Sequence, residues 1–142
     1  MIDIQDLSVR LDDRGVVISL DKVSNLIGVS ELSLCHVVTL RPGTIRGNHY
    51  HPKSTEHILF IDGKVEVIVG MEKNLDGHSE ELNLVVRKVF EPTPGQILRI
   101  PAGIPHAVKN VGQNDAVIMC IYEMATDSES TIACNLSCAR FK

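Results

Sequence analysis

The segment Gly43-Thr44-Ile45-Arg46-Gly47-Asn48-His49-Tyr50-His51, followed by Pro52-Lys53-Ser54-Thr55-Glu56, decides how this chain is read. His49 and His51 stand at i and i+2, and residues two apart on an extended strand project from the same face. One metal ion can then reach both imidazoles. Glu56 comes five residues later, past a turn-like stretch at 52–55, and opens another β-type run that can return a carboxylate to the same place. A third imidazole is available at His106, after the turn Pro101-Ala102-Gly103. Three nitrogens and one oxygen form a donor set suited to one divalent transition metal such as Zn, Mn, Fe or Ni. Further coordination positions remain for water or substrate. Each histidine alone has an ordinary reading as a core or surface residue, and the inference rests on the joint spacing.

Working outward, short β-type runs recur at strand length. Strands are expected at 16–20, 32–41, 45–51, 56–61, 64–71, 82–90, 96–100, 107–111 and 116–123. Turns are marked by Arg41-Pro42-Gly43, Asp62-Gly63, Pro92-Thr93-Pro94-Gly95, Pro101-Ala102-Gly103 and Gly112-Gln113-Asn114-Asp115. The fold class is therefore all-β, with mainly antiparallel pairing. The polar stretch 72–81, which contains His78, is expected as an exposed loop. The thirty or so residues before the first motif are expected to add edge strands or a dimer contact.

At 142 residues the chain has the size of one domain, 1–142, able to bury a core without disulfides. Apolar residues make up 44% and charged residues 23%, with no Trp, a mix rich in Val, Ile and Leu that favours strands. The formal charge is −4, and Lys and Arg are scattered with no run to track a phosphate backbone. Nucleic acid is therefore not an expected partner. No apolar stretch approaches the roughly 20 residues of a membrane helix, and Met1–Arg10 lacks the layout of a secretory signal. The expected setting is the cytoplasm, away from the membrane. Cys35 and Cys120 lie in apolar runs and are expected buried and reduced. Cys134 and Cys138 are four apart and would share a face on a helix, which is weak grounds for a site.

The spacing as a whole resembles the cupin family. Its first motif is matched by Gly43, His49, His51, Glu56 and Gly63, over 43–63. Its second is matched by Gly95, Pro101, Gly103, His106 and Asn110, over 95–110. No position departs from either pattern. The resemblance implies a double-stranded β-helix, or jelly-roll barrel, with a metal in its mouth. Gly43, Gly63, Gly95, Pro101 and Gly103 then have structural roles, and Asn110 caps a turn through backbone hydrogen bonds.

Strand alternation extends the site. If Glu56 points inward, so do Ile58 and Phe60, giving an apolar pocket lining behind the metal, while His57 points out. His36 shares a face with Leu34, Val38 and Leu40; it is the candidate general base, with a quiet hydrogen-bonding role in the core as the alternative. Arg46 is a candidate for holding an anionic substrate group, the alternative being a solvated rim arginine. Arg46-Gly47-Asn48-His49-Tyr50-His51 is similar to a signature of cupins in surface-polysaccharide and nucleotide-sugar pathways. That likeness implies a metal-dependent isomerase or epimerase of a keto sugar or nucleotide sugar, forming a homodimer. Its alternatives are a metal-dependent dioxygenase and a non-catalytic cupin binding a sugar or other small molecule.

Overall fold

The computed structural model describes residues 2–30, 34–72, 84–123 and 131–133. Its strands are β1 (Ser8–Asp12), β2 (Gly15–Ser19), β3 (Cys35–Leu40), β4 (Ile45–Tyr50), β5 (Thr55–Asp62), β6 (Val65–Glu72), β7 (Leu84–Phe90), β8 (Ile97–Ile100), β9 (His106–Asn110), β10 (Ala116–Glu123) and β11 (Ile132–Ala133). They form two antiparallel sheets, ordered β1-β2-β3-β10-β5-β8 and β11-β4-β9-β6-β7. This is the expected jelly roll. The pattern of β5 shows why: Glu56, Ile58 and Phe60 are buried, while His57 and Leu59 on the alternate face are half-buried. Val38, Leu40, Ile58, Val67, Val108 and Ile118 meet between the sheets, with Leu40 and Val67 fully buried. Each such side chain stabilises the fold by about 1.5–3 kcal/mol relative to exposure.

Every expected strand has a counterpart, with ends coinciding or shifted by at most three residues. Residues 1, 31–33, 73–83, 124–130 and 134–142 lie outside the described set, so His78, Cys134, Cys138 and most of the expected 72–81 loop go with them. β1 is an edge strand of the kind expected before the first motif, though no bounds were drawn for it; the sequence reading missed β11 and a helix, α1 (Asp21–Ile27). Local signals for the helix were present. Asp21 sits in its first turn and takes a hydrogen bond from the Ser19 hydroxyl, and Gly28, at φ 70°, closes it by donating its N–H to Ser24 O. No helix among the described residues is long and apolar enough to cross a membrane.

Two buried contacts lock the barrel's turn end. Gly63 has φ 89°, and a Cβ there would lie 2.6 Å from Ala116 Cα, so no other residue fits. Asn110 is fully buried; its Nδ2 donates to Leu40 O (2.8 Å) and Asn114 O (2.9 Å), and its Oδ1 accepts from Gly112 N–H (2.8 Å). The turn-capping role expected of it matches this geometry. On the outer face of the larger sheet, Val9, Ile18, Val37, Met119, Leu59 and Ile97 stand in register across all six strands, an unbroken apolar row.

Candidate metal centre

On a regular strand Arg46 and Asn48 would face one way and His49 the other. A bulge in β4 changes this. The pairing with β9 shifts between Gly47 and His49, with Gly47 at φ 94° and Asn48 at φ 53°. The extra residue turns Arg46 and both histidines to the barrel interior. Gly47 is required there, because a Cβ would lie 3.0 Å from both Ala107 Cα and His106 O. His106, opposite His49 on β9, and Glu56, from β5 in the other sheet, complete the group.

One ligand atom from each of His49, His51, Glu56 and His106 falls within 4.8 Å of the others. Glu56 Oε2 is 2.6 Å from His106 Nε2, 3.2 Å from His51 Nε2 and 4.0 Å from His49 Nε2. His106 Nδ1 lies 2.9 Å from Ile104 O, a bond it makes only as donor, so in neutral imidazole the proton is on Nδ1 and Nε2 is a bare lone pair. That lone pair faces a carboxylate oxygen, and neither buried atom finds a hydrogen bond among the described residues. Two acceptors 2.6 Å apart repel unless a cation or a proton sits with them. The donor set therefore fits a divalent metal, with the His106–Ile104 bond fixing the ring as an outer partner does in metal sites. His51 Nδ1 is 3.3 Å from the Thr131 hydroxyl, and Tyr122 donates its hydroxyl to Glu56 Oε1 at 3.4 Å.

The electrostatics agree with ligation. Burial pushes the Glu56 carboxyl up, but His106 and His51 outweigh it and hold the group well below its usual range. His49 is pushed down to about 4, first by burial and then by His106 and His51, against the opposing pull of Glu56. Near neutral pH the centre therefore presents an ionised carboxylate and a neutral His49, the forms that bind metal.

A cavity of about 200 Å³ opens beside these ligands. His36, Arg46 and Ile58 line it, as does Cys120. His36 Nδ1 is buried with no hydrogen bond among the described residues, and its ring packs edge-on to Tyr122 at 5.6 Å. Arg46 is not a solvated rim residue: its side chain is 10% exposed, donating to Thr39 O and pairing with Asp12. Phe60 is the correction to the expected lining. It shares the face of Ile58, but two residues further along β5 it has passed the cavity and packs into the core. His57 points outward as expected, 3.0 Å from Glu123 Oε1. Cys35 and Cys120 are buried thiols in no disulfide among the described residues, and burial pushes both up, Cys120 further through the nearby Glu56 charge.

Among the cavity residues that escaped the sequence reading are Arg10, Arg14 and Tyr122. Tyr122 was within reach, since Ala116, Ile118 and Cys120 are its alternating neighbours on β10. The arginines depend on where β1 and β2 fold back, which no local pattern announces.

Fold and site together define a metal-binding cupin. The chain belongs to the cupin family, whose model matches residues 12–139. It is similar to germin-like protein subfamily 3 member 2 of Arabidopsis thaliana, 32% identical over 96 residues, covering 67% of this chain and 37% of that protein. It is also 28% identical over 95 residues to the oxalate decarboxylase OxdC of Bacillus subtilis, a protein with Mn(II) centres, covering 67% of this chain and 22% of that one. The chain thus spans well under half the length of these relatives. Among solved structures, the capsular polysaccharide assembling protein CapF of Staphylococcus aureus superposes with a TM-score of 0.67 at 20% identity, over 94% of this chain and 34% of that one.

Proposed function

We propose that the chain is a metal-dependent isomerase or epimerase of a keto sugar, nucleotide-linked, in polysaccharide biosynthesis, with His49, His51, Glu56 and His106 as metal ligands and His36 as base. The observation that carries this reading is the placement of His36. Its imidazole lines the same cavity as the ligands, with a buried nitrogen that no protein group among the described residues engages. Such a nitrogen can take a proton from a carbon beside a carbonyl, which the four ligand histidine and glutamate groups cannot do while their lone pairs are committed. When bound, the metal would supply Lewis-acid stabilisation of negative charge on the carbonyl oxygen. Ile58 offers an apolar wall for a sugar ring, and Tyr122, beside His36 and Glu56, carries a hydroxyl near both. The fold shared with a capsular polysaccharide assembling protein supports the pathway assignment.

The test is deuterium wash-in: a 4-keto nucleotide sugar in deuterated water should take up deuterium beside its carbonyl, and His36→Asn should slow this by more than about tenfold. Absence of exchange across a panel of such sugars refutes the reading. An oxygen-using metalloenzyme is the second reading, favoured by the 28% identity to an oxalate decarboxylase with Mn(II) centres. Oxygen uptake by iron- or manganese-loaded protein would select it. We also propose a homodimer. The apolar row across the larger sheet, with Val9 61% and Ile97 59% exposed at its two ends, supports pairing with a second copy, and the mass in solution by light scattering checks it.

A further inference from the structure

The β1–β2 hairpin turns at Asp12-Asp13-Arg14-Gly15 and lays one face against the cavity. Arg10 is in register with Val17, and both line the cavity wall beside Arg14, Arg46 and the metal-centre residues His49 and His106. Three guanidiniums thus border one space of about 200 Å³. One carboxylate is paired with two of them. Asp12 is 2.5 Å from Arg14 Nη2 and 3.3 Å from Arg46 Nη2, and it is held below its usual range chiefly by Arg14. Three arginines against this one aspartate leave a surplus of +2 at this wall, with Asp13 of the same turn exposed and outside the cavity lining. Glu56, the other acid on the wall, belongs to the ligand cluster with His49, His51 and His106.

The three arginines do different work. Arg46 is buried, with its donors on Thr39 O and Asp12, so it ties the hairpin to the barrel. Arg14 is half exposed; it uses Nε and Nη2 on Asp12 and keeps other donors of its fork for a ligand. The Arg10 side chain makes no hydrogen bond or ion pair among the described residues. The turn that carries Arg14 is pinned in advance: Arg41 N–H donates to Arg14 O at 2.7 Å, and Val16 N–H donates to Thr39 Oγ1 at 2.8 Å. Two forks with spare donors on a pinned hairpin, open to solvent and with a surplus of positive charge, suit an oxyanion.

We propose that Arg10 and Arg14 form an anion subsite beside the metal centre that takes the diphosphate of a nucleotide-linked ligand, with Arg46 as the positioning residue that holds Asp12 and the hairpin. The surplus of +2 matches the two ionised phosphates of a diphosphate diester, whereas a monocarboxylate would meet only half of it. The choice of a nucleotide-linked ligand rests on the keto-sugar reading above; the oxyanion subsite does not.

The experiment is calorimetric titration of the metal-loaded protein with UDP and, separately, with malonate, whose oxygens need only the metal. UDP should bind, and its Kd should rise at least about tenfold in Arg10→Gln and in Arg14→Gln, while malonate changes by less than about threefold. Arg10→Lys, which keeps the charge, should bind UDP within about tenfold of wild type. Metal content and melting temperature should be the same in each variant as in wild type, which separates the effect from misfolding. No UDP binding by the wild type, or equal UDP binding by the Gln variants, overturns the subsite. Malonate weakened as much as UDP overturns the phosphate assignment in favour of a carboxylate. A failed deuterium wash-in with the UDP result intact would refute the isomerase reading and leave the subsite standing.

Discussion

Replacing Gly47 by Ala puts the bulge in β4 to the test. The residue has φ 94°, and the added Cβ would sit 3.0 Å from Ala107 Cα and His106 O, both backbone atoms that cannot swing aside. A non-glycine residue in that region costs about 1–3 kcal/mol. Overpacking against fixed backbone adds to this, giving a total of about 2–4 kcal/mol. Gly43→Ala is the matched control: its φ is 76°, but nothing lies within 4 Å of the new Cβ, so about 1–2 kcal/mol is expected from conformation alone. The two should also differ at the metal centre. Relief of the Gly47 clash must push β4 from β9, and that separates His49 and His51 from His106. Urea unfolding of the metal-free variants gives the stabilities, and competition with a chromogenic chelator gives metal affinity. Gly47→Ala should lose affinity by at least about tenfold, Gly43→Ala by little. Equal stability and equal affinity for the two variants would refute the claim that the bulge sets the ligand geometry.

Three further outcomes are expected. His51→Ala should lose metal by elemental analysis while keeping its far-ultraviolet circular dichroism, because the ligands lie at the barrel mouth; retained metal would remove His51 from the ligand set. Asn110→Ala should destabilise by about 3 kcal/mol, roughly 1 for each of its three hydrogen bonds, measured by urea unfolding. The metal-free protein should lose stability as pH falls. His49 has a folded value of about 4 against 6.5 unfolded, so the unfolded chain takes up the proton first and stability drops from pH 6.5 toward 4. Glu56, held below 4.5, adds a loss of the same sign below that pH. A flat stability between pH 7 and 4 would contradict the His49 loss, and no further drop below pH 4 would contradict the Glu56 one.

The parts of this protein that follow from strand alternation and turn chemistry were legible in the sequence. The inward face of β5, the turn glycines and the convergence of His49, His51, Glu56 and His106 all come from period-two patterning and spacing. What escaped was set by long-range geometry. Arg46 reads as a rim residue because the bulge at Gly47-Asn48 is invisible to a regular strand pattern, yet the bulge is what buries it. Arg10 and Arg14 reach the cavity because the β1–β2 hairpin joins the sheet beside β3, a pairing of residues 17–19 with 36–38 that no local pattern sets. Phe60 was placed one step too far because alternation gives the face of a residue but not its depth along the strand.

The distribution of the ligands gives the centre a role in the fold as well as in chemistry. His49, His51 and His106 come from the sheet containing β4 and β9, whereas Glu56 comes from β5 in the other sheet, and no strand pairing joins the two sheets at that point. A cation held by all four would close the barrel mouth across its two layers. Without one, the apposed lone pairs of His106 Nε2 and Glu56 Oε2 remain a buried repulsion. Metal affinity and folding free energy are therefore coupled, since ions that bind only the folded arrangement stabilise it by mass action. The Arg46–Asp12 pair extends this coupling outward. Arg46 is three residues before His49 on the bulged strand and grips the hairpin that carries Arg10 and Arg14, so a shift of β4 reaches the metal ligands and the arginine wall together.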